Sequence, residues 1–97
     1  MITQEIIKTN NVSVRVKRLD LDASTDWHYH SEVTDYFVCL SGVVQVETKN
    51  PDEMFLLHPG QRVGCKHHQP HRIVNTHDNE SEYLLIQGVG KYDFNKV

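Results

Sequence analysis

The stretch that decides the fold reads His28-Tyr29-His30-Ser31-Glu32-Val33-Thr34-Asp35-Tyr36-Phe37-Val38-Cys39-Leu40-Ser41-Gly42. It holds two extended pieces, Trp27 to His30 and Asp35 to Leu40, with a short break from Ser31 to Thr34. Successive side chains of a strand leave opposite faces, so His28 and His30 point to the same side. With a rise of about 3.3 Å per residue, their Cα atoms lie roughly 6.6 Å apart. Two imidazoles at that separation can converge on one ion, since zinc–nitrogen bonds are about 2.0–2.1 Å long. An antiparallel partner strand starting at Asp35 brings a carboxylate back beside them. Ser41-Gly42 ends that strand with a turn signal.

A second group stands at Pro70-His71-Arg72-Ile73-Val74-Asn75. Pro70 disfavours a helix through this point, which weakens a rival helical metal pair of His67 and His71. On a strand, His71, Ile73 and Asn75 share one face. His71 delivered to the same cavity completes three nitrogen ligands, His28, His30 and His71, with Asp35 as an oxygen ligand. Histidine is the informative total. The chain has seven, and all but His77 fall at 28 and 30 or between 58 and 71.

The remaining sequence is one of short strands between turns. Val12, Val14 and Val16 alternate with Ser13 and Arg15. Val43 to Thr48 ends at Asn50-Pro51-Asp52-Glu53, and Met54 to Leu57 ends at His58-Pro59-Gly60. Arg62 to Cys65, Arg72 to Thr76 and Tyr83 to Gln87 are further strands. No window keeps the apolar spacing of three and four that a helix needs. This pattern predicts an all-β sandwich or small antiparallel barrel. Lys91 to Val97 reads as a loose tail, unless Tyr92 and Phe94 pin it to the barrel.

The chain has 97 residues, which suits a single domain, and a formal net charge of -3 with both signs scattered. No basic stripe for nucleic acid is present, and no basic amphipathic stretch for a membrane surface. No apolar run approaches the roughly 20 residues of a membrane span. The start, Met1 to Lys8, lacks the pattern of a secretory signal, so the expected location is cytoplasmic. Cys39 and Cys65 lack metal or redox spacing and read as reduced core residues. In Asp35 to Leu40, one face lines the barrel. Tyr36, Val38 and Leu40 then form an outward apolar stripe, to be covered by the N-terminal strand or by another subunit.

The run His28-x-His30-x4-Asp35-x6-Gly42 resembles the first motif of the cupin superfamily, and Gly60-x10-His71-x3-Asn75 resembles the second. The short stretch between them, Val43 to Pro59, is similar to that of small bacterial members. The resemblance implies one cupin domain over residues 1–97, with motif one at 28–42 and motif two at 60–75. It implies a small antiparallel β-barrel (double-stranded β-helix, or jelly roll), commonly a homodimer, with a metal inside. The chain departs from the family pattern at three places. Asp35 stands where Glu is usual and is one methylene shorter, so its carboxylate is expected to fall short of the ion. Lys66 and His68 stand where Pro and Gly are usual.

Cupin-like barrels host many reactions, so the fold does not name the chemistry. The favoured reading is a metalloenzyme acting on a small molecule by oxygenase-, decarboxylase- or isomerase-like chemistry. It would use one divalent ion, Fe, Mn, Zn, Ni or Co, and a cavity lined by residues such as Phe37, Val44, Val46, Val63 and Ile73. The alternative is a metabolite-binding or sensing module without turnover. His67 and His68 read as rim residues. His68, if turned inward, is the candidate catalytic residue for proton transfer. His58 and His77 sit in turns, and Asn75 reads as structural.

Overall fold

The computed structural model describes residues 2–97. Its elements are all strands: β1 (Ile2–Lys8), β2 (Val12–Leu19), β3 (His28–Tyr29), β4 (Thr34–Ser41), β5 (Val44–Thr48), β6 (Glu53–Leu57), β7 (Arg62–Cys65), β8 (His71–Val74), β9 (Ser81–Gly88) and β10 (Asn95–Lys96). Among the described residues no helix is long and apolar enough to cross a membrane. The pairing is antiparallel throughout and builds two five-stranded sheets, ordered β1-β2-β9-β4-β7 and β10-β3-β8-β5-β6.

The core follows from strand parity. In β9, Ser81, Tyr83, Leu85 and Gln87 are buried and the residues between them are partly exposed. Asp35, Phe37 and Cys39 on β4 and Val44, Val46 and Thr48 on β5 are buried in the same alternating way. Leu19, Phe37, Cys39, Val44, Val46, Leu57, Cys65, Ile73, Tyr83 and Leu85 form one apolar cluster between the sheets. Both cysteines are free and buried, and burial pushes the Cys65 thiol up to about 12. Gly42 links β4 to β5 at φ +73°, where an added Cβ would collide with Ser81 Oγ. Glycine meets both demands.

Asn75 stitches the second motif to the rest of the barrel. Its Nδ2 donates to the carbonyls of Asp20 (2.9 Å) and Asn79 (2.8 Å). Its Oδ1 accepts from His77 N (3.0 Å) and Ser81 Oγ (2.9 Å). The asparagine is thus a structural residue, which a buried amide with its donors and acceptors satisfied can be.

Neither β2, the N-terminal strand read from the sequence, nor β1 lies over the stripe of Tyr36, Val38 and Leu40. Both belong to the same sheet as β4, β2 separated from it by β9 and β1 by β2 and β9. The register extends the stripe across that sheet instead. Tyr36 pairs with Ile86, which pairs with Val14, and Val14 with Ile7. Val38 pairs with Leu84, which pairs with Val16. Tyr36 is 50% exposed and Leu40 45%.

Candidate metal centre

His28 and His71 come from one sheet, His30 from the residue that follows β3, and the carboxylate from the other sheet. His28 on β3 stands opposite His71 on β8. His30 follows two residues later, on the same side as His28 by strand parity. Asp35, near the start of β4, faces them from the opposing sheet, where it pairs with Cys65 and Gln87. One ligand atom from each of His28, His30, Asp35 and His71 lies within 4.8 Å of all the others, and all four residues are buried.

The backbone sets the direction of each imidazole. The Nδ1 atoms of His28, His30 and His71 lie 2.6, 2.6 and 2.9 Å from the carbonyl oxygens of Asp26, Asp93 and Gln69. A carbonyl only accepts, so each Nδ1 carries the hydrogen and donates it. That leaves Nε2 of each neutral ring as the lone-pair atom turned inward, the tautomer that metal-binding histidines use. Asp35 Oδ2 stands 3.0 Å from Nε2 of both His30 and His71. Gln87 Nε2 donates to the other carboxylate oxygen at 2.9 Å. Three imidazole nitrogens and a carboxylate oxygen, buried and individually oriented, fit a divalent transition metal.

With Nδ1 of His30 and His71 committed to carbonyls, an Nε2–H that donates to Asp35 makes the ring a cation, the protonated form that competes with an ion for the same nitrogen. Burial works to raise the Asp35 pKa, but those hydrogen bonds, and the charges of the protonated rings, hold it well below the usual range. Burial works to lower the His30 pKa, and the Asp35 hydrogen bond and charge outweigh it, so it rises. His28 lacks such a bond to Asp35, and burial pushes its pKa down to about 4.

The tail is a wall of the site. Residues 95 and 96 pair with β3, Lys96 opposite His28. Phe94 stacks on His28 with ring centroids 4.3 Å apart, and Tyr92 lies 5.4 Å from the His30 ring. Asp93 supplies the carbonyl that orients His30, and its carboxylate accepts from Ser31 N at 2.8 Å. Tyr92 and Phe94 do pin the tail, and the loose-tail expectation is corrected by this pairing. Beside the cluster lies a cavity of about 60 Å³ bordered by Phe37, Ile73, Leu85, Tyr92 and Phe94.

Other expectations are corrected by position. Of the lining foreseen, Phe37 and Ile73 border this cavity, whereas Val44 and Val46 are buried in the core and Val63 packs against it. The reason is depth along the strands: Thr48 is level with His71, and Val46 is level with Ile73 beyond it. Asp35 Oδ2 comes within 3.0 Å of Nε2 of His30 and of His71, a distance between side chains that bears on neither outcome for its reach to an ion. His68 does not turn inward. It is exposed at φ +64°, its ring lies beside Tyr29 and His67, and it lines an outer cleft with Lys66 and Phe55.

Sequence reasoning missed Arg15, Lys17 and Gln87, which border the cavity. The alternation in β2 is real, but its polar members face the barrel. Leu19, fully buried, shares their parity and was the available signal.

A family model for the cupin domain matches residues 16–87. None of the curated proteins compared matches the sequence. Among solved structures, a conserved protein with a double-stranded β-helix domain from Klebsiella pneumoniae superposes with a TM-score of 0.85 at 20% identity, over 99% of this chain and 83% of that one. KdgF from Halomonas sp. gives 0.81 at 19% identity, over 92% of this chain and 78% of that one. An oxalate oxidase in complex with the substrate analogue glycolate gives 0.83 at 14% identity, over 99% of this chain and 54% of that one. These likenesses show the fold, a double-stranded β-helix. With the domain model covering most of its length, this chain belongs to the cupin family.

Proposed function

We propose that the protein is a metal-dependent enzyme for a small organic molecule, with one divalent ion, Fe, Mn, Zn, Ni or Co, held by His28, His30, His71 and Asp35. The observation that carries this reading is the convergence of three backbone-oriented Nε2 atoms and one carboxylate on a single buried point. Such an ion supplies Lewis acidity and open positions for a chelating substrate, the requirement of oxygenase-, decarboxylase- and isomerase-like reactions. The chain's own residues do the rest. Backbone carbonyls at 26, 69 and 93 hold the rings, and Gln87 holds the carboxylate. Phe37, Ile73 and Leu85 give the cavity an apolar wall, and Phe94 and Tyr92 line it beside the rings of His28 and His30.

The working unit is a homodimer. The outer face of Ile7, Val14, Val16, Tyr36, Val38, Leu84 and Ile86 is continuous and apolar, and a two-fold pairing lets one face cover its own copy.

The test of the enzyme reading is turnover of a panel of small organic acids, diketones, catechols and thiols by Fe(II)- or Mn(II)-loaded protein. Turnover that disappears on chelation and returns with the ion supports it. Turnover that survives complete metal removal contradicts it, and tight binding without turnover under every ion points to a metabolite-binding module.

A further inference from the structure

Two cations stand inside the barrel beside the cluster. Arg15 and Lys17 are two residues apart on β2, on the inward side shared with buried Leu19. Both border the cavity that holds His28, His30 and Asp35. Like charges set side by side and half-buried cost free energy unless an anion answers them.

Among the described residues that border the cavity, Asp35 is the one carboxylate, and its oxygens are already engaged by His30, His71 and Gln87. Arg15 reaches it only through the neutral amide of Gln87, whose Oε1 accepts from the guanidinium. The Arg15 Nε is buried with no hydrogen-bond partner among the described residues. Burial, and then the Arg15 charge, lower the Lys17 pKa, and the Asp35 charge offsets them only in part. A divalent ion on the cluster would deepen the excess of positive charge.

Arg15 also borders a second cleft. With Gln87 and Tyr92 it edges this open space of about 230 Å³, walled by the turn from Lys8 to Ser13 and by Val33 and Gly90. The same three side chains thus lie between that cleft and the cluster cavity.

Building on the metalloenzyme reading, we propose that the ligand is a small organic acid that enters past the Lys8–Ser13 turn, its carboxylate held by Arg15 and Lys17 while a neighbouring oxygen faces the histidines. A neutral chelator such as a diketone leaves both cations unanswered and binds more weakly. Arg15 gives the acid a planar pair of donors, and Lys17 adds a point charge.

The experiment compares glycolate with its neutral counterpart glycolamide by calorimetric titration into Mn(II)-loaded protein, with metal content measured in each sample. Glycolate should bind at least roughly ten-fold more tightly, the range for hydrogen bonds to a charged group. Lys17→Gln and Arg15→Gln should each remove most of that preference while metal content stays the same. Arg15→Lys, which keeps the charge, should retain part of it and serves if Arg15→Gln does not fold. Equal binding of acid and amide, or an unchanged preference in metal-replete Lys17→Gln and Arg15→Gln, overturns the proposal and leaves the metal site standing. If the wild-type protein holds no metal, the metalloenzyme reading fails. The same comparison on metal-free protein then decides the anion site: a glycolate preference lost in Lys17→Gln upholds it, and no preference overturns it.

Discussion

Phe94 stacks on His28, their ring centroids 4.3 Å apart and their planes 17° from parallel. A half-exposed residue near the end of the chain therefore holds a buried candidate ligand in place. Phe94→Ala should lower metal affinity roughly ten-fold, the scale of losses when groups supporting a ligand are removed. Competition against a chromophoric chelator measures this. Because Phe94 is 44% exposed, the melting temperature of the metal-free protein should change little. Unchanged metal affinity would show that the stacking has no hold on the site.

Acid should destabilise the metal-free protein through His28. Its folded pKa, about 4, lies below its ordinary 6.5. The unfolded chain therefore binds the extra proton first, and this contribution, whole above pH 6.5, is lost as pH falls through about 4. Asp35 has the same sign at lower pH, since its pKa is also depressed. His30 has the opposite sign: its raised pKa adds stability below 6.5 that fades as pH rises through the folded value. Thermal melts of metal-free protein between pH 6.5 and 4 should show a falling midpoint, and His28→Asn should make the fall shallower. An equally steep fall in the variant would mean that other groups carry it.

Asn75→Ala should cost roughly 2–4 kcal/mol, because it strips partners from several buried backbone and side-chain groups at once. Its amide bridges Asp20, Asn79, His77 and Ser81. Urea unfolding measures the loss. Metal binding by the folded fraction should persist, since Asn75 belongs to no part of the cluster. A loss under about 1 kcal/mol would mean water replaces the amide at little cost.

What the sequence revealed and what it hid differ in kind. His28, His30 and His71 were legible because strand parity and a proline before His71 are local facts. The Asp35 position was legible, but its reach was not, because that depends on how closely the two sheets approach. β1 went unread, as residues 3–8 are exposed on both faces and show no alternation. β10 is two residues long, and its meaning lies in the register that sets Lys96 opposite His28. Arg15 and Lys17 were hidden by a correct observation: the valines of β2 alternate with polar residues, Ser13 and Arg15 among them, but here the valines face outward. That inversion leaves an apolar outer face on the sheet.

That outer face carries its own expectation. Val38→Asp places a charge in the middle of the apolar rows joining β2, β9 and β4. Sedimentation at tens of micromolar should show a dimer for the wild type and a folded monomer for the variant. A wild-type monomer at that concentration would contradict the assembly.

The central claim is that His28, His30 and His71 hold one ion with Asp35. Plasma mass spectrometry of protein purified without chelators tests it most directly, with the double variant His28→Ala, His30→Ala beside the wild type. The account predicts about one divalent transition metal per wild-type chain and none in the double variant, with circular dichroism showing both folded. Stoichiometric metal retained by the folded double variant would contradict it.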